Sequence, residues 1–407
     1  MEKAGPPRAN PAIVAAIRDE ARGAMKRFYA TRGYRPLWTI EGRPGQAATA
    51  LIGYLATAEA DGLRPGSYDV DDLRKTVRAA GGGDPGAVAA AELALSDTFA
   101  RYVRDQRSGR AEVEYADRTL KPRKLTPEGV LRAAAFPKSF TAYVTGMGWM
   151  SPQYVHLRDL AVAALKAGVR GDALARLRVN QDRARILPGP WVRHVEVDAS
   201  SGRLWYYEAG RQVGTMRVVV GARETQTPLM VGRLQWAILN PYWNVPDYLA
   251  QKSVAPKVLA GRSLASLHME ALSDWGANAR RVPADGIDWP AVAAGRQVVR
   301  LRELPWAGNS MGRVKFIFPN DDGIYLHDTP ERELLRKDDR HFSNGCIRLE
   351  DAPGLGRWLL QRPLPAVKTP EKAVPLPVSV PVYLTYLTAT GNGGRLAFRP
   401  DIYGRDG

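Results

Sequence analysis

The chain has 407 residues, and its 58 lysines and arginines outnumber its 42 aspartates and glutamates, which gives a formal net charge of +16. A single cysteine excludes an internal disulfide and a cysteine-rich zinc site, and no apolar run is long enough for a transmembrane helix. The composition is that of a globular protein with two or three domains, and its basic surface favours polyanions. The sequence contains no dense block of lysine or arginine of the kind that would indicate nucleic-acid binding.

The first 165 residues are predicted to form helices. The stretch PAIVAAIRDEARGAMKRFYATRGY has apolar residues at helical spacing, including Ile13, Ile17 and Phe28. Two later stretches, GQAATALIGYLATAEADGL and AVAAAELALSDTFARYVRDQRSGR, are rich in alanine and leucine and end near glycine, as helices commonly do. We therefore expect an all-α domain at residues 1–165 and a linker at 166–189.

A mainly-β domain is predicted at residues 190–368. The stretch WVRHVEVDASSGRLWYYEAGRQVGTMRVVVGA alternates, is rich in β-branched and aromatic residues, and contains two turn sequences. Strand character returns at Gly312–Asn320 and Gly323–Asp328. The polar, partly helical segment 247–305 is too long for a simple loop, so we expect it to form a lid or subdomain.

The C-terminal part is predicted to pack on the β domain. Asp351 is expected to cap a short helix, APGLGRWLLQRP, and a proline-rich linker follows it. The stretch VSVPVYLTYLTAT looks like a final strand, with its prolines at the edge-strand end. Residues 369–407 are thus assigned as a linker and a strand, and the predicted fold class is α+β multidomain.

The one cysteine, Cys346, lies in a Ser-Asn-Gly-Cys turn downstream of two of the five histidines, His327 and His341. A cysteine attacks as its thiolate, and a nearby imidazole can take its proton. His327 is predicted at a strand end, and the polar loop that follows it can return the chain. His327 and Cys346 are therefore candidates for a base and a nucleophile.

Other residues of this stretch suit the same chemistry. Gly345 allows a sharp turn, and the N–H groups around Gly345 and Cys346 can hold an oxyanion. Arg348, one alternation after Cys346, is expected to point to the same side and to meet a carboxylate. The residues alone also allow a purely structural role for this stretch. A lone cysteine is usually a buried apolar side chain, and Ser343 and Asn344 are common turn residues.

The stretch YLHDTP…HFSNGCIRLED resembles the signature of the L,D-transpeptidase catalytic domain. RVVVGARETQTP, NPYWNVP, GRVKFIFPN and FRPDIYGRD resemble the large proteobacterial branch of that family, and FYATRGYRPLW, AEADGLRP and LALSDTFARYVRDQRSGR resemble its helical scaffold domain. Only the segment around Ala255–Pro305 and the linkers lack a match. The resemblance implies a β-sandwich catalytic domain in which the insertion caps the substrate.

The resemblance also implies a reaction, peptidoglycan cross-linking by cysteine acyl transfer. Cys346 would attack the carbonyl of diaminopimelate in a tetrapeptide stem, D-alanine would leave, and a thioester would remain. The amine of a second diaminopimelate, or another amine, would then take the acyl group, with His327 as the base. The further residues assigned by this resemblance are Asp328 and Ser343 for orientation, Gly345, Asn344 and Tyr325 at the oxyanion and turn, and Arg348, Trp243 and His341 for substrate binding.

The implied setting is the periplasm, with peptidoglycan stem peptides as substrate, other cell-wall synthases as candidate partners, and no metal or cofactor. The start of the chain lacks the apolar core of an export signal, so export would require a signal absent from this sequence. A lone cysteine suits an oxidising compartment, where a second thiol would risk a disulfide.

Two alternatives to this function remain at the level of sequence. A hydrolase that trims stem peptides would use the same chemistry with water as the acceptor. An inactive, basic wall-binding scaffold would fit the replacement of the usual family histidine by Asn344, because asparagine cannot take a proton near neutral pH.

Overall fold

The computed structural model describes residues 10–109, 111–276, 278–392 and 394–407. Residues 1–9, which the sequence assigns to the scaffold domain, lie outside the described residues. The N-terminal part is helical, as predicted. Its helices are α1 (Pro11–Glu20), α2 (Gly23–Ala30), α3 (Gln46–Ala56), α4 (Val70–Ala79), α5 (Pro85–Arg107), α6 (Pro127–Ala135), α7 (Phe140–Thr145), α8 (Pro152–Lys166) and α9 (Asp172–Ala184).

Side-chain caps fix where several of these helices begin. Asn10, Asp84 and Ser151 each accept a hydrogen bond from the first turn of α1, α5 and α8, and a proline follows each cap. The apolar faces of the helices then pack into one core. The last helix, α9, lies in the segment that was expected to be a linker and packs against α8.

A buried ion pair holds the helical core together. Asp61 accepts hydrogen bonds from the hydroxyls of Tyr102 and Tyr154, each at 2.8 Å, and pairs with Arg158 at 3.1 Å. Both charged side chains are almost completely buried. Because every oxygen of the carboxylate has donors, the charge is compensated and the positions of α5 and α8 are fixed together.

The C-terminal part is mainly β, which confirms the predicted fold class. Three short strands lie within the N-terminal part, β1 (Thr39–Ile40), β2 (Arg43–Pro44) and β3 (Glu114–Tyr115). The others are β4 (His194–Asp198), β5 (Arg203–Glu208), β6 (Arg211–Gly221), β7 (Met230–Leu239), β8 (Trp243–Val245), β9 (Met269–Leu272), β10 (Arg281–Val282), β11 (Arg300–Glu303), β12 (Val314–Ile317), β13 (Tyr325–His327), β14 (His341–Ser343), β15 (Ile347–Leu349), β16 (Lys372–Thr385), β17 (Ala389–Asn392) and β18 (Arg395–Phe398).

The two layers of the predicted sandwich are joined at both edges. The strand order is β12-β13-β15-β6-β5-β4-β16-β7, and β7 pairs back onto β12, so the strands close into a ring. Two of the pairings, β13 with β15 and β4 with β16, are parallel. Strand β3 of the helical part adds to β7, and both parts share buried core residues such as Val231 and Tyr383. The two parts therefore pack continuously.

The insertion forms a subdomain with its own core. An antiparallel sheet of order β10-β9-β11-β8 packs on α10 (Asp247–Leu249), α11 (Ala255–Leu259) and α12 (Trp289–Ala293) around Val254, Trp289 and Leu301. The sequence predicted only helical and polar character here. Its strands of two to four residues are too short to show alternation, which explains the miss. The chain enters from β7 and leaves into β12, its neighbour in the ring.

The C-terminal elements complete the ring. Asp351 caps α13 (Ala352–Leu360) by accepting from the Gly354 N–H at 2.9 Å, as predicted. Strand β16 begins earlier than expected and lies between β7 and β4 over residues 382–384. Its prolines lie before that stretch, in the part of β16 that pairs with β7 alone. They therefore remove no hydrogen bond to β4. Among the described residues, no helix is long and apolar enough to cross a membrane.

Candidate active site

The register of two parallel strands brings the predicted site residues together. On β13 and β15, His327 lies beside Arg348. Tyr325 is two residues before His327, and Cys346 is two residues before Arg348. Alternate residues of a strand share a face, so these side chains point to the same side of the sheet.

That face forms one wall of a cavity of about 300 Å³. The other wall belongs to the subdomain and to the loop after β11. The residues that line the cavity are Trp243, Asn244, Pro246, Leu249, Ser310, Met311, Asp322, Gly323, Tyr325, His327, Glu331, Ser343, Asn344, Cys346 and Arg348.

Local hydrogen bonds shape the turn that carries Cys346. Gly345 has φ +104°, a conformation that L side chains rarely adopt, and an added Cβ would lie 3.0 Å from Ile324 Cδ1. The Ser343 hydroxyl accepts from the Gly345 N–H at 3.2 Å and donates to the Cys346 carbonyl at 2.5 Å. The Gly345 N–H is therefore already bonded, which corrects its expected availability for an oxyanion.

A distant part of the chain supports this turn from behind. The Thr227 hydroxyl donates to the Gly345 carbonyl at 2.8 Å and accepts from the Gly221 N–H at 2.9 Å. The Tyr403 hydroxyl donates to the Gly221 carbonyl at 2.6 Å and accepts from the Thr227 N–H at 3.3 Å. The position of Cys346 thus depends on Tyr403, near the C-terminal end of the sequence.

The same C-terminal segment is tied to the helical part. Arg405 donates to Gln226 Oε1 at 3.0 Å, next to Thr227. Asp406 forms ion pairs with Arg176 at 2.6 Å and Arg183 at 2.8 Å, both on α9. Residues 403–406 therefore connect α9 to the catalytic turn, and we call them the C-terminal clamp.

His327 is buried and held as a neutral imidazole. Its Nδ1 lies 2.6 Å from the Asp328 carbonyl oxygen, so Nδ1 carries the proton and Nε2 is the free acceptor. Burial, together with the positive charges of Arg348 and Lys315, lowers the pKa of His327 to about 3, although the hydrogen bond to Asp328 acts in the opposite direction. Lys315 lies directly opposite His327 on β12.

Cys346 is held as a neutral thiol. The protein around the sulfur excludes most water and raises the pKa of Cys346 to about 11. Hydrogen bonds from the Tyr325 N–H and hydroxyl, and the charges of Arg348 and Lys315, oppose that rise in the Cys346 pKa. The thiol donates to the Gly323 carbonyl at 3.6 Å. At neutral pH the pair is thus a thiol and an imidazole, not a thiolate and an imidazolium.

The other predicted residues differ in where they lie. Trp243 lines the cavity at the start of β8, and Arg348 lines it and pairs with Glu331. His341 does not line it. Its Nδ1 is 2.6 Å from Asp339 Oδ1, and its ring is edge-on to Tyr403 at 5.3 Å, behind the turn. Substrate binding by His341 therefore does not fit its position.

Asn344 contacts the subdomain. It lines the cavity, and its side chain lies near the hydroxyl of Tyr248 on α10. Burial raises the pKa of Tyr248, and the nearby Asn344 side chain partly offsets that increase. The residue at the usual histidine position thus connects the catalytic turn to the predicted lid.

Several residues of the site escaped the sequence analysis. Lys315, Glu331 and Tyr248 come from β12, from the loop after β13 and from α10. Only strand register reveals that Lys315 lies beside His327. Among the described residues, no group of three or more histidine, cysteine, aspartate or glutamate side chains could hold a metal ion.

Comparison with known proteins agrees with this site. Residues 192–375 match the family model of the L,D-transpeptidase catalytic domain, and residues 23–160 match that of the Scaffold domain. The chain is thus similar to L,D-transpeptidases over its catalytic part, residues 192–375. A Haemophilus influenzae protein named as a candidate L,D-transpeptidase is 27% identical over 398 residues, which are 94% of this chain and 78% of that protein.

Two solved structures, the first of them an L,D-transpeptidase, are similar over part of this chain. One, from Mycobacterium smegmatis, has 11% identity and a TM-score of 0.24, and the match covers 47% of this chain and 58% of that one. The other, the Ldtfm–avibactam carbamoyl enzyme, has 13% identity and a TM-score of 0.23, with 49% of each chain covered. This chain therefore spans less than two thirds of either protein.

Proposed function

We propose that this protein is a periplasmic peptidoglycan L,D-transpeptidase that joins two diaminopimelate residues. The supporting observation is the shared face of β13 and β15, where Cys346, His327, Tyr325 and Arg348 line one cavity within the matched catalytic domain. The substrates are stem peptides of the wall, and other cell-wall synthases are candidate partners.

In the first step Cys346 takes the acyl group. His327 Nε2 accepts the thiol proton while Sγ attacks the diaminopimelate carbonyl, after the thiol has turned away from Gly323. The Tyr325 hydroxyl, which already hydrogen-bonds to the sulfur, stabilises the oxyanion. The bond to D-alanine then breaks, its nitrogen takes the proton from His327, and a thioester remains.

In the second step the thioester passes the acyl group on. The amine of a second diaminopimelate attacks the thioester carbonyl and gives a proton to His327. The C–S bond breaks, and the sulfur leaves as a thiolate that takes this proton back. The products are an amide cross-link and the original thiol and imidazole, so no cofactor or metal is needed.

Intact-mass spectrometry with a carbapenem tests the nucleophile. The wild type should gain one carbapenem mass, while Cys346→Ala and Cys346→Ser should gain none and keep the same far-UV circular dichroism. Cross-linking by the Cys346→Ala protein would refute the assignment.

Product analysis with a tetrapeptide tests transfer against hydrolysis. Adding an acceptor stem should convert the product from tripeptide to cross-linked dimer, together with D-alanine release. Tripeptide alone, at every acceptor concentration, would identify a hydrolase instead.

A further inference from the structure

One ion pair in the cavity has no role in the chemistry described above. Arg348 and Glu331 both line the cavity and pair through Arg348 Nη1 and Glu331 Oε2. The Glu331 side chain is 51% exposed, so solutes can reach it, whereas Arg348 is 21% exposed. The pair is therefore accessible from the space that the substrate must enter.

The backbone on both sides of this pair is fixed. Arg348 is paired with His327 on one side and with Val219 of β6 on the other. Glu331 donates its N–H to Thr329 Oγ1 at 3.2 Å. The next residue, Arg332, bonds Asp328 at 2.7 Å and the Glu350 carbonyl at 2.5 Å. The two side chains thus extend from backbone positions that are fixed relative to Cys346.

The charge of the cavity favours a ligand that carries a cation. Arg348 is the one lysine or arginine among the described lining residues, whereas Glu331 and Asp322 both supply carboxylates. Arg348 can nevertheless bind a carboxylate, because its planar guanidinium forms bidentate hydrogen bonds to such a group. The site therefore presents an acceptor for ammonium next to a donor for carboxylate.

We propose that Glu331 and Arg348 bind the free amino-acid end of the donor's diaminopimelate side chain, with Glu331 on its ammonium and Arg348 on its carboxylate. This inference rests on the proposed function and adds Glu331 as a specificity-determining residue. The free end of the diaminopimelate side chain carries its ammonium and its carboxylate on one carbon. It can therefore replace the direct ion pair between Glu331 and Arg348. Partly exposed ion pairs contribute little stability, so the exchange is easy.

Two donors that differ at one nitrogen test this proposal. One is the diaminopimelate tetrapeptide, and the other is the same peptide with the distal amine acetylated, which removes the ammonium and keeps the carboxylate. The measurement is kcat/KM for D-alanine release. The wild type should prefer the free amine by about 10- to 100-fold, the usual contribution of one hydrogen bond to a charged group.

Glu331→Gln should abolish that preference. Its kcat/KM should fall about 10- to 100-fold for the free-amine donor and change little for the acetylated one. The matched control is Glu333→Gln, which removes the same charge from the same loop outside the lining residues. This control should keep the wild-type preference.

Three outcomes would overturn the subsite. They are an equal loss for both donors in Glu331→Gln, no loss for either donor, and a wild type that does not distinguish the donors. An equal loss would indicate a structural ion pair. The proposed function is judged separately, by acylation of wild-type Cys346 with a carbapenem that lacks an ammonium group. Failure of that acylation would reject the enzyme itself.

Discussion

Replacing His327 by alanine should change how the acylation rate depends on pH. In the wild type the imidazole pKa is lowered to about 3 and the thiol pKa is raised to about 11. The neutral base and the neutral thiol are thus both fully present between about pH 5 and pH 9, so the wild-type rate should be flat there. Without the imidazole, Cys346 can react only through its own thiolate.

The size of the effect follows from the thiol pKa. With the Cys346 pKa about 11, only about one molecule in 10⁴ holds a thiolate at pH 7. His327→Ala should therefore lose about 10²- to 10⁴-fold in the acylation rate at pH 7, the usual contribution of a general base. Its residual rate should rise about tenfold per pH unit up to the thiol pKa.

Stopped-flow measurement of carbapenem acylation from about pH 5 to pH 9 checks this, with His341→Ala as the control. His341 lies behind the turn, bonded to Asp339, so its removal should leave the flat profile in place. If His327→Ala kept a flat profile, or if His341→Ala lost more rate than His327→Ala, the assignment of the base would be wrong.

Four further predictions concern the surroundings of Cys346. Hydrogen exchange in the subdomain, residues 247–305, should be faster than in β6 and should slow on acylation; uniform protection would argue against a lid. Asn344→Ala should speed exchange around Tyr248 because the amide contact is lost, and unchanged exchange would show that the contact does not hold the lid. Asn344→His should leave the pH profile of acylation near that of the wild type, whereas faster acid-side acylation would indicate electrostatic tuning of the thiol. Tyr403→Phe should destabilise the fold by about 1–3 kcal/mol in chemical denaturation and slow acylation, since two backbone groups lose their partner, and a normal rate would refute its support of the turn.

The sequence predicted the site where its residues are close along the chain. His327, Asp328 and the Ser-Asn-Gly-Cys turn lie within one stretch of 20 residues, so composition and spacing were informative. Lys315 and Tyr403 were missed because they reach the site through strand register and long-range hydrogen bonds. Such contacts join residues far apart in sequence and leave no periodic signal.

The fold was predictable to the same extent. Helical and alternating patterns separated the α and β parts, and the predicted cap at Asp351 marked the start of α13. The short strands of the insertion and the closure of β7 onto β12 were not predictable, because neither depends on a local pattern. Helix α9 was taken for a linker because arginines interrupt its apolar face.

The C-terminal clamp also sets the order in which the protein can mature. The turn of Cys346 is supported by Tyr403, and Asp406 connects that support to α9, which is made more than 200 residues earlier. A chain still being synthesised lacks both contacts, so its thiol is not yet set opposite His327. Acylating activity should therefore appear only after the chain through Asp406 has folded back onto α9.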